Sequence, residues 1–522
     1  MEEGEDLMSS QCLLAIDQGT TSTRAVVYEV LSPGQEGYPD CQVRGQASAE
    51  LSQHYPRPGW VEHDGKEIWQ GVAGVVPAAL ADAGIEAGSL AAVAVTNQRE
   101  TALIWDRETG APLARALVWQ DRRTAPECRE RQADEGWISA RTGLVIDPYF
   151  SATKLRWLLD QEPGWRARAE AGKLAGGTVD SFLLWHLTGG QVFASDQTNA
   201  SRTLLLGLQT ADWDEELCRY WNIPRALLPE VRPSAGDFGV TRGLEFLPDG
   251  IPIRGVAGDQ QAALFGQCAF APGEAKCTYG TGAFYLQHLG DQLILPRPVS
   301  GPRPALLTTL AAGTGDLVYA LEGSVFIAGA AVQWLRDGLG LVASAPDVEG
   351  LAQRSDPEQP VLFVPGLVGL GAPYWVPEAR GALFGLTRGT SAADLGRAAL
   401  EGVAYQITDL VEACRGLGQA VTSLRVDGGM AQNAWFLQAQ ANLLGLPVLQ
   451  AVHHEATARG VAYLAGLGAG IWPDTESLRG IPAELRAFHP NLEEAERARR
   501  LAQWRRAVAA VIAFYQDDQV TR

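Results

Sequence analysis

The chain has 522 residues, 46% hydrophobic and 20% charged, which is the balance of a globular protein too long for one core, so about two to four domains are expected. Its formal charge of −19 works against nucleic acid or an anionic membrane as a partner, because both call for a basic surface. An anionic nucleotide is still compatible, since a few N–H groups and one metal ion can hold it locally.

The first residues, MEEGEDLMSSQ, carry acid where a secretory signal carries Lys or Arg, so export is not expected. Residues 13–28 follow, two apolar β-branched runs around Gly19-Thr20-Thr21-Ser22, and predict a β-hairpin. Its turn reads either as an ordinary hairpin turn or as a phosphate cradle, with Asp17 at a strand end available to a hydrated Mg2+. Asp64 and Glu67 have capping-box spacing, Ile68, Val72, Val75, Val76 and Ala79 share one face, and Gly84 marks the stop of a helix in which Pro77 predicts a kink. Leu90 to Thr96 is a short buried strand that delivers Asn97-Gln98-Arg99-Glu100 to its C-terminal end, where α/β sheets bind ligands. Further strands are expected at 102–106 and 117–124, then a mostly helical region from about 126 to 245.

Residues 253–266 read as a strand, a Gly258-Asp259 turn and a helix, after which the pattern restarts. A second hairpin at 276–286 has a Gly280-Thr281-Gly282 turn that echoes Gly19-Thr20-Thr21, which sets a domain boundary near 269–273 and suggests a duplication around a shared cleft. The uncharged run 360–377 is interrupted by Pro365, Pro373 and glycines, so it suits a buried loop and no integral membrane segment is expected. Leu424 to Gly429 is a strand running into a double glycine, and Asn433 caps the helix behind it. Seven scattered cysteines without a C-x-x-C pair suit free thiols in a reducing cytoplasm, and His453-His454 reads as loop rather than metal site.

No Walker A loop and no G-x-G-x-x-G fingerprint is present, so a phosphate site has to come from the two hairpin turns, with Gly428-Gly429 admitting a flat purine. Asp259 reads either as a helix cap or as the group that accepts a proton from a phosphoryl acceptor. Arg99, Glu100, Asp259 and Gln260, walled by Trp105, Tyr149 and Phe284, would grip several hydroxyls.

The stretches 17–22, 58–64, 96–101, 143–150, 199–203, 258–266 and 279–282, with the signatures at 149–161 and 381–401, resemble the FGGY carbohydrate kinase family along nearly the whole chain. The resemblance implies an α/β fold of two actin-like (ribonuclease H-like) domains, 1–270 and 271–522, with an interdomain catalytic cleft. The first would carry the polyol site and one phosphate hairpin, the second the other hairpin and the adenine site. The implied activity is ATP-dependent phosphorylation of glycerol to sn-glycerol 3-phosphate. Arg99, Glu100, Tyr149, Asp259 and Gln260 would then bind glycerol against Trp105 and Phe284. Thr20, Thr21, Ser22 and Arg24 would lie at the ATP phosphates with Thr281 across the cleft, and Gly329, Gln333, Gly429 and Asn433 match nucleotide positions. Asp17 and Asp259 would approach Mg2+, and Asp259 matches the catalytic base. Dimers and tetramers are common among similar proteins. The loop 243–250 lacks the sugar-bisphosphate motif and the phosphorylated His of some members, so neither form of regulation is expected, and Trp375-Val376-Pro377 replaces the usual Trp-Asp-Pro. The rival readings are a kinase for another polyol or sugar, and an actin-like ATPase without a polyol pocket.

Overall fold

Two apolar runs joined by a glycine turn form the antiparallel pair β1 (Cys12–Gln18) and β2 (Ser22–Val30), with Asp17 opposite Arg24 at the turn end. In this computed structural model residues 11–31, 39–295, 297, 304–451, 455–481 and 485–517 are described; the acidic N-terminal stretch (1–10) and His453-His454 lie outside them. β3 (Cys41–Glu50) extends the sheet antiparallel beside β2, and β4 (Leu90–Asn97) and β5 (Ile253–Gly258) extend it parallel beyond β1, giving the order β5-β4-β1-β2-β3.

The second sheet repeats this plan with β6 (Glu274–Tyr279), β7 (Ala283–Gly290), β8 (Tyr319–Val325), β9 (Ser423–Asp427) and β10 (Val448–Ala451). Their order is β8-β7-β6-β9-β10, with the same parallel and antiparallel senses, and the strands Leu307–Leu310 and Leu485–Phe488 are added at its two edges. The echo seen in two hairpin turns therefore extends to all five strands of each half.

Parallel neighbours need a crossover, and helices supply it. The helix Gly65–Ala83 links β3 to β4: Asp64 caps it by accepting from Lys66 N–H, Gly84 ends it at φ +64°, and it runs through Pro77 as one element. The 25-residue helix Ala392–Gly416 precedes β9 and opens with a Ser391/Asp394 capping box. The regular structure of the region 126–245 is mostly helical, as expected, with short strands set between the helices. Leu174–Thr178 is a strand paired with Ala102–Asp106, and Ala194–Asp196 pairs with Glu230–Arg232. Gly176 and Gly177 lie in the first of these strands, where a Cβ would crowd Leu227 and Ser181. Of 117–124 only the start is strand; Asp121 accepts from Val61 N–H and from Arg123, which turns the chain away from the sheet.

The two sheets take their strands from residues 12–258 and 274–488 and are joined by the loop at 267–273, but packing does not respect that division. Helix Ala456–Gly468 lies on helix Asp259–Gly266 and on the first sheet, its Val461 and Leu464 sharing a core with Leu13, Ala15, Ala94 and Ala257. The two helices meet backbone to backbone: a Cβ on Gly460 would lie 1.8 Å from the Ala262 carbonyl oxygen, and one on Gly266 2.0 Å from that of Ala456. All seven cysteines are free thiols, and no described helix is long and apolar enough to cross a membrane.

Candidate active site

β4 and β5 end side by side, and each releases polar residues at its last position. After β4, Thr101 N–H donates to the Arg99 carbonyl at 2.7 Å and Glu100 takes φ 58°, a left-handed conformation that costs a glutamate about 1–3 kcal/mol. After β5, Gly258 caps a helix whose first residue is Asp259. Gly258 is obligatory for space, because a Cβ there would sit 2.7 Å from Cγ and Cδ of Arg99.

These residues converge on a buried ionic cluster. Arg99 donates from Nη1 and Nη2 to the two oxygens of Glu322 (2.7 and 2.9 Å), from Nη1 to Gln261 (3.1 Å), and holds Nε 3.3 Å from Asp259 Oδ1. Arg202 donates from Nε to Glu100 (2.7 Å) and lies 3.0 Å from Glu322. Two guanidiniums thus face three carboxylates. Burial pushes the Asp259 carboxyl above its ordinary range, with Arg99 and Lys276 opposing, and burial does the same to Glu100 against Arg99 and Arg202. Burial also opposes ionisation of Glu322, but Arg202 and Arg99 outweigh it and hold that carboxyl low. Asp259 keeps 29% of its side chain exposed, so within this cluster it is the carboxylate most open to a ligand.

The aromatic side of the site differs from expectation in one residue. Trp105 is fully buried behind its strand, edge-on to Phe182 and Phe193 in the core, so it lines no cleft. Alternation along Ala102–Asp106 sends Trp105 to the same face as Leu103, away from Ala102 and Ile104. The ring beside Tyr149 and Phe284 is instead that of Trp119: half-buried, it meets Tyr149 at 5.7 Å and Phe284 at 6.1 Å, and its Nε1 donates to Thr20 Oγ1 at 2.9 Å. Trp119→Ala is expected to weaken substrate binding by about 1.5–3 kcal/mol, as loss of a buried aromatic does; an unchanged KM for the acceptor would remove Trp119 from the wall. Gln260 turns its Oε1 to the ammonium of Lys276, which also donates to Thr278 Oγ1 at 2.9 Å, tying the polar cluster to the second hairpin.

Glu322, Arg202 and Lys276 were not singled out from the sequence. A signal existed for two of them: Glu322 stands inside the buried strand Tyr319–Val325 and Lys276 between Ala275 and Cys277, where a lone charge among apolar neighbours needs a partner. Arg202 has no comparable local sign.

Each glycine turn is closed by a 2.9 Å bond from the N–H of its first glycine, Gly19 to the Ser22 carbonyl three residues on and Gly280 to the Gly282 carbonyl two residues on. In the first, Thr21 and Arg24 are exposed, and Arg24 pairs with Glu455 at 3.0 Å. In the second, the Thr281 carbonyl accepts from Ala328 and Ala330 N–H, and Gly329 N–H donates to Gly280 at 2.9 Å. A Cβ at Gly329 would come within 2.7 Å of the Gly280 carbonyl oxygen. Gly329→Ala is therefore expected to push this turn out of place at a cost of about 1–3 kcal/mol and to raise the KM for the nucleotide; a wild-type nucleotide KM would show that the turn does not hold it. Gly428 has φ +88° and abuts the Tyr279 carbonyl, whereas the space beside Gly429 is open. Gln333 is exposed at the end of helix Gly329–Gln333, and Asn433 caps helix Ala434–Leu444 by accepting from Phe436 N–H at 2.8 Å. Asp17, at the end of β1, has its carboxyl pushed to about 7 by burial, with Arg24 opposing and the charges of Asp259 and Glu455 adding. Among the described residues no group of three or more His, Cys, Asp and Glu could by itself enclose a metal ion.

Two sheets of one topology, paired glycine turns and an ionic cluster at the strand ends define a two-domain α/β kinase of the actin-like kind. The chain belongs to the FGGY family of carbohydrate kinases: residues 12–266 match its N-terminal domain and 275–469 its C-terminal domain. It is 53% identical to a glycerol kinase of Methylobacterium nodulans over 96% of this chain and 98% of that protein. It is 48% identical to a glycerol kinase of Deinococcus radiodurans over 98% and 99% of the two chains. The crystal structure of Plasmodium falciparum glycerol kinase with ADP is similar with a TM-score of 0.87 at 32% identity, covering 96% of this chain and 98% of that one. A gluconate kinase from Lactobacillus acidophilus, at 21% identity and a TM-score of 0.84 over 98% and 100% of the chains, shares the fold.

Proposed function

We propose that this chain transfers the γ-phosphoryl group of ATP to a terminal hydroxyl of glycerol, giving sn-glycerol 3-phosphate and ADP. The observation that carries the reading is the convergence of Arg99, Glu100 and the part-exposed Asp259 at the ends of β4 and β5. Arg99 and Glu100 offer a donor and an acceptor for neighbouring hydroxyls, and Tyr149, Trp119 and Phe284 supply rings to cover the carbon chain. Gln260 stands beside them.

Asp259 orients the accepting hydroxyl and takes its proton as the phosphoryl group moves; a carboxyl held above its ordinary range is the stronger base. Backbone N–H groups and hydroxyls of Thr20, Thr21 and Ser22, with Arg24 and Thr281, hold the phosphates, and Gly329, Gln333, Gly429 and Asn433 border the base and sugar. Arg24 meets Glu455 through Nη1 alone and keeps an exposed side chain, so a phosphate can be met beside that pair.

Burial first, and then the charges of Asp259 and Glu455 against Arg24, raise the Asp17 carboxyl, a cost that a cation beside it would relieve, and this fits Mg2+ held through Asp17 and Asp259. When bound, the ion would neutralise charge on the phosphates. Free thiols throughout suit a cytoplasmic location, and a dimer or tetramer is the assembly to look for by light scattering.

Release of ADP from ATP, measured with glycerol and with xylulose, gluconate and erythritol, tests the proposal. Release that depends on glycerol, with sn-glycerol 3-phosphate as product, is expected. Glycerol-independent hydrolysis, or preference for another acceptor, would overturn it.

A further inference from the structure

We infer that Glu322, contributed by β8 of the second half, is the positioning residue that fixes the Arg99 guanidinium for the acceptor's hydroxyls. The inference rests on the proposed reading of Arg99 as a hydroxyl-binding group. Glu322 is fully buried, and its neighbours across the strands are Leu286 and Leu307. A carboxylate among leucines is costly to bury unless its charge and lone pairs are met. Both oxygens are met by Arg99, in the parallel two-bond fork that sets the plane of a guanidinium as well as its position.

What Arg99 receives from its own half is weaker. Gln261 accepts a single bond at 3.1 Å, and Asp259 stands at 3.3 Å from Nε. The orientation of Arg99 is therefore set from across the junction between the two sheets. The hold passes one residue further, because Arg202 lies 3.0 Å from Glu322 while donating to Glu100. Gly323 packs the strand closely here: a Cβ would sit 2.7 Å from Leu410, which leaves β8 little room to shift. Having no exposed surface, Glu322 acts on the acceptor only through these arginines.

The test is steady-state kinetics of the full chain and of Glu322→Gln, Glu322→Asp, Arg99→Met and the double variant Arg99→Met/Glu322→Gln. Wild-type turnover of glycerol decides the functional reading independently, and the variants decide the role of Glu322. Glu322→Gln is expected to raise the KM for glycerol about tenfold while leaving the KM for ATP within about twofold, as loss of one charged fork does. Glu322→Asp, which keeps the charge on a shorter stem, is expected to fall between wild type and Glu322→Gln. The double variant is expected to show the glycerol KM of Arg99→Met alone, because a residue that acts through Arg99 has nothing left to position. A glycerol KM within about twofold of wild type in Glu322→Gln, or a further rise of about tenfold in the double variant over Arg99→Met, would overturn the inference. If Glu322→Gln does not fold, Glu322→Asp carries the test, with a rise of about threefold expected and an unchanged KM overturning it.

Discussion

Asp259→Asn is expected to lower kcat by about a thousandfold, within the usual range for removal of a general base, while ATP binding by calorimetry stays within about twofold. The substitution is close to isosteric, so the contacts that seat the residue survive it. Its Oδ1 accepts from Gln260 N–H at 2.8 Å, which an amide oxygen also does, and Gly258 before it keeps the same cap geometry. What is lost is the ability to take a proton, together with one of the two carboxylates that raise the Asp17 carboxyl. Asp259 is the first residue of its helix and not its cap: Gly258 takes the cap position without a side-chain bond, while Asp259 meets the next N–H and keeps part of its side chain exposed. Near-normal turnover in the variant would remove Asp259 as base.

Arg99→Met is expected to raise the KM for glycerol about a hundredfold and to destabilise the protein by about 3–5 kcal/mol, the usual penalty for breaking one side of a buried ion pair. The methionine keeps the stem and deletes the guanidinium, so Glu322 loses both of its close donors and retains Arg202 alone. Because most of that penalty is an uncompensated charge rather than a lost contact, Arg99→Met/Glu322→Gln is expected to recover much of the stability without recovering the glycerol KM. Denaturant midpoints measure the first effect and initial rates the second. A KM unchanged from wild type would separate Arg99 from the acceptor, and a double variant no more stable than Arg99→Met would show that the charge is not what was lost.

Much of the molecule was legible before any coordinates, and where it was not the reasons are local. The first hairpin, the capped helix after it, the Gly258-Asp259 junction and the second hairpin were readable because each depends on neighbours within about ten residues: a glycine at a turn, a cap, an apolar alternation. Trp105 and Trp119 show the limit of such reading. Both stand near strand ends in stretches rich in polar residues, but only strand pairing fixes which face a side chain takes. The antiparallel pairing of Ala102–Asp106 with Leu174–Thr178 turns Trp105 to the face of its sheet that packs against Phe182 and Phe193. Trp119, just beyond a two-residue strand, is free to lean on Tyr149 and Phe284.

The sequence by itself determined the α/β character, the two glycine turns, the positions of Arg99, Glu100 and Asp259, and the family. These are properties of short segments, in which backbone freedom and apolar periodicity act between near neighbours. Only the tertiary structure decided that Glu322 faces Arg99 across 223 residues of chain, that Trp119 and not Trp105 lies against Tyr149 and Phe284, and that helix Ala456–Gly468 packs on the opposite half. Each is set by which surfaces the folded chain buries against each other, where a charge left unpaired or a Cβ in the way costs more than any local preference returns.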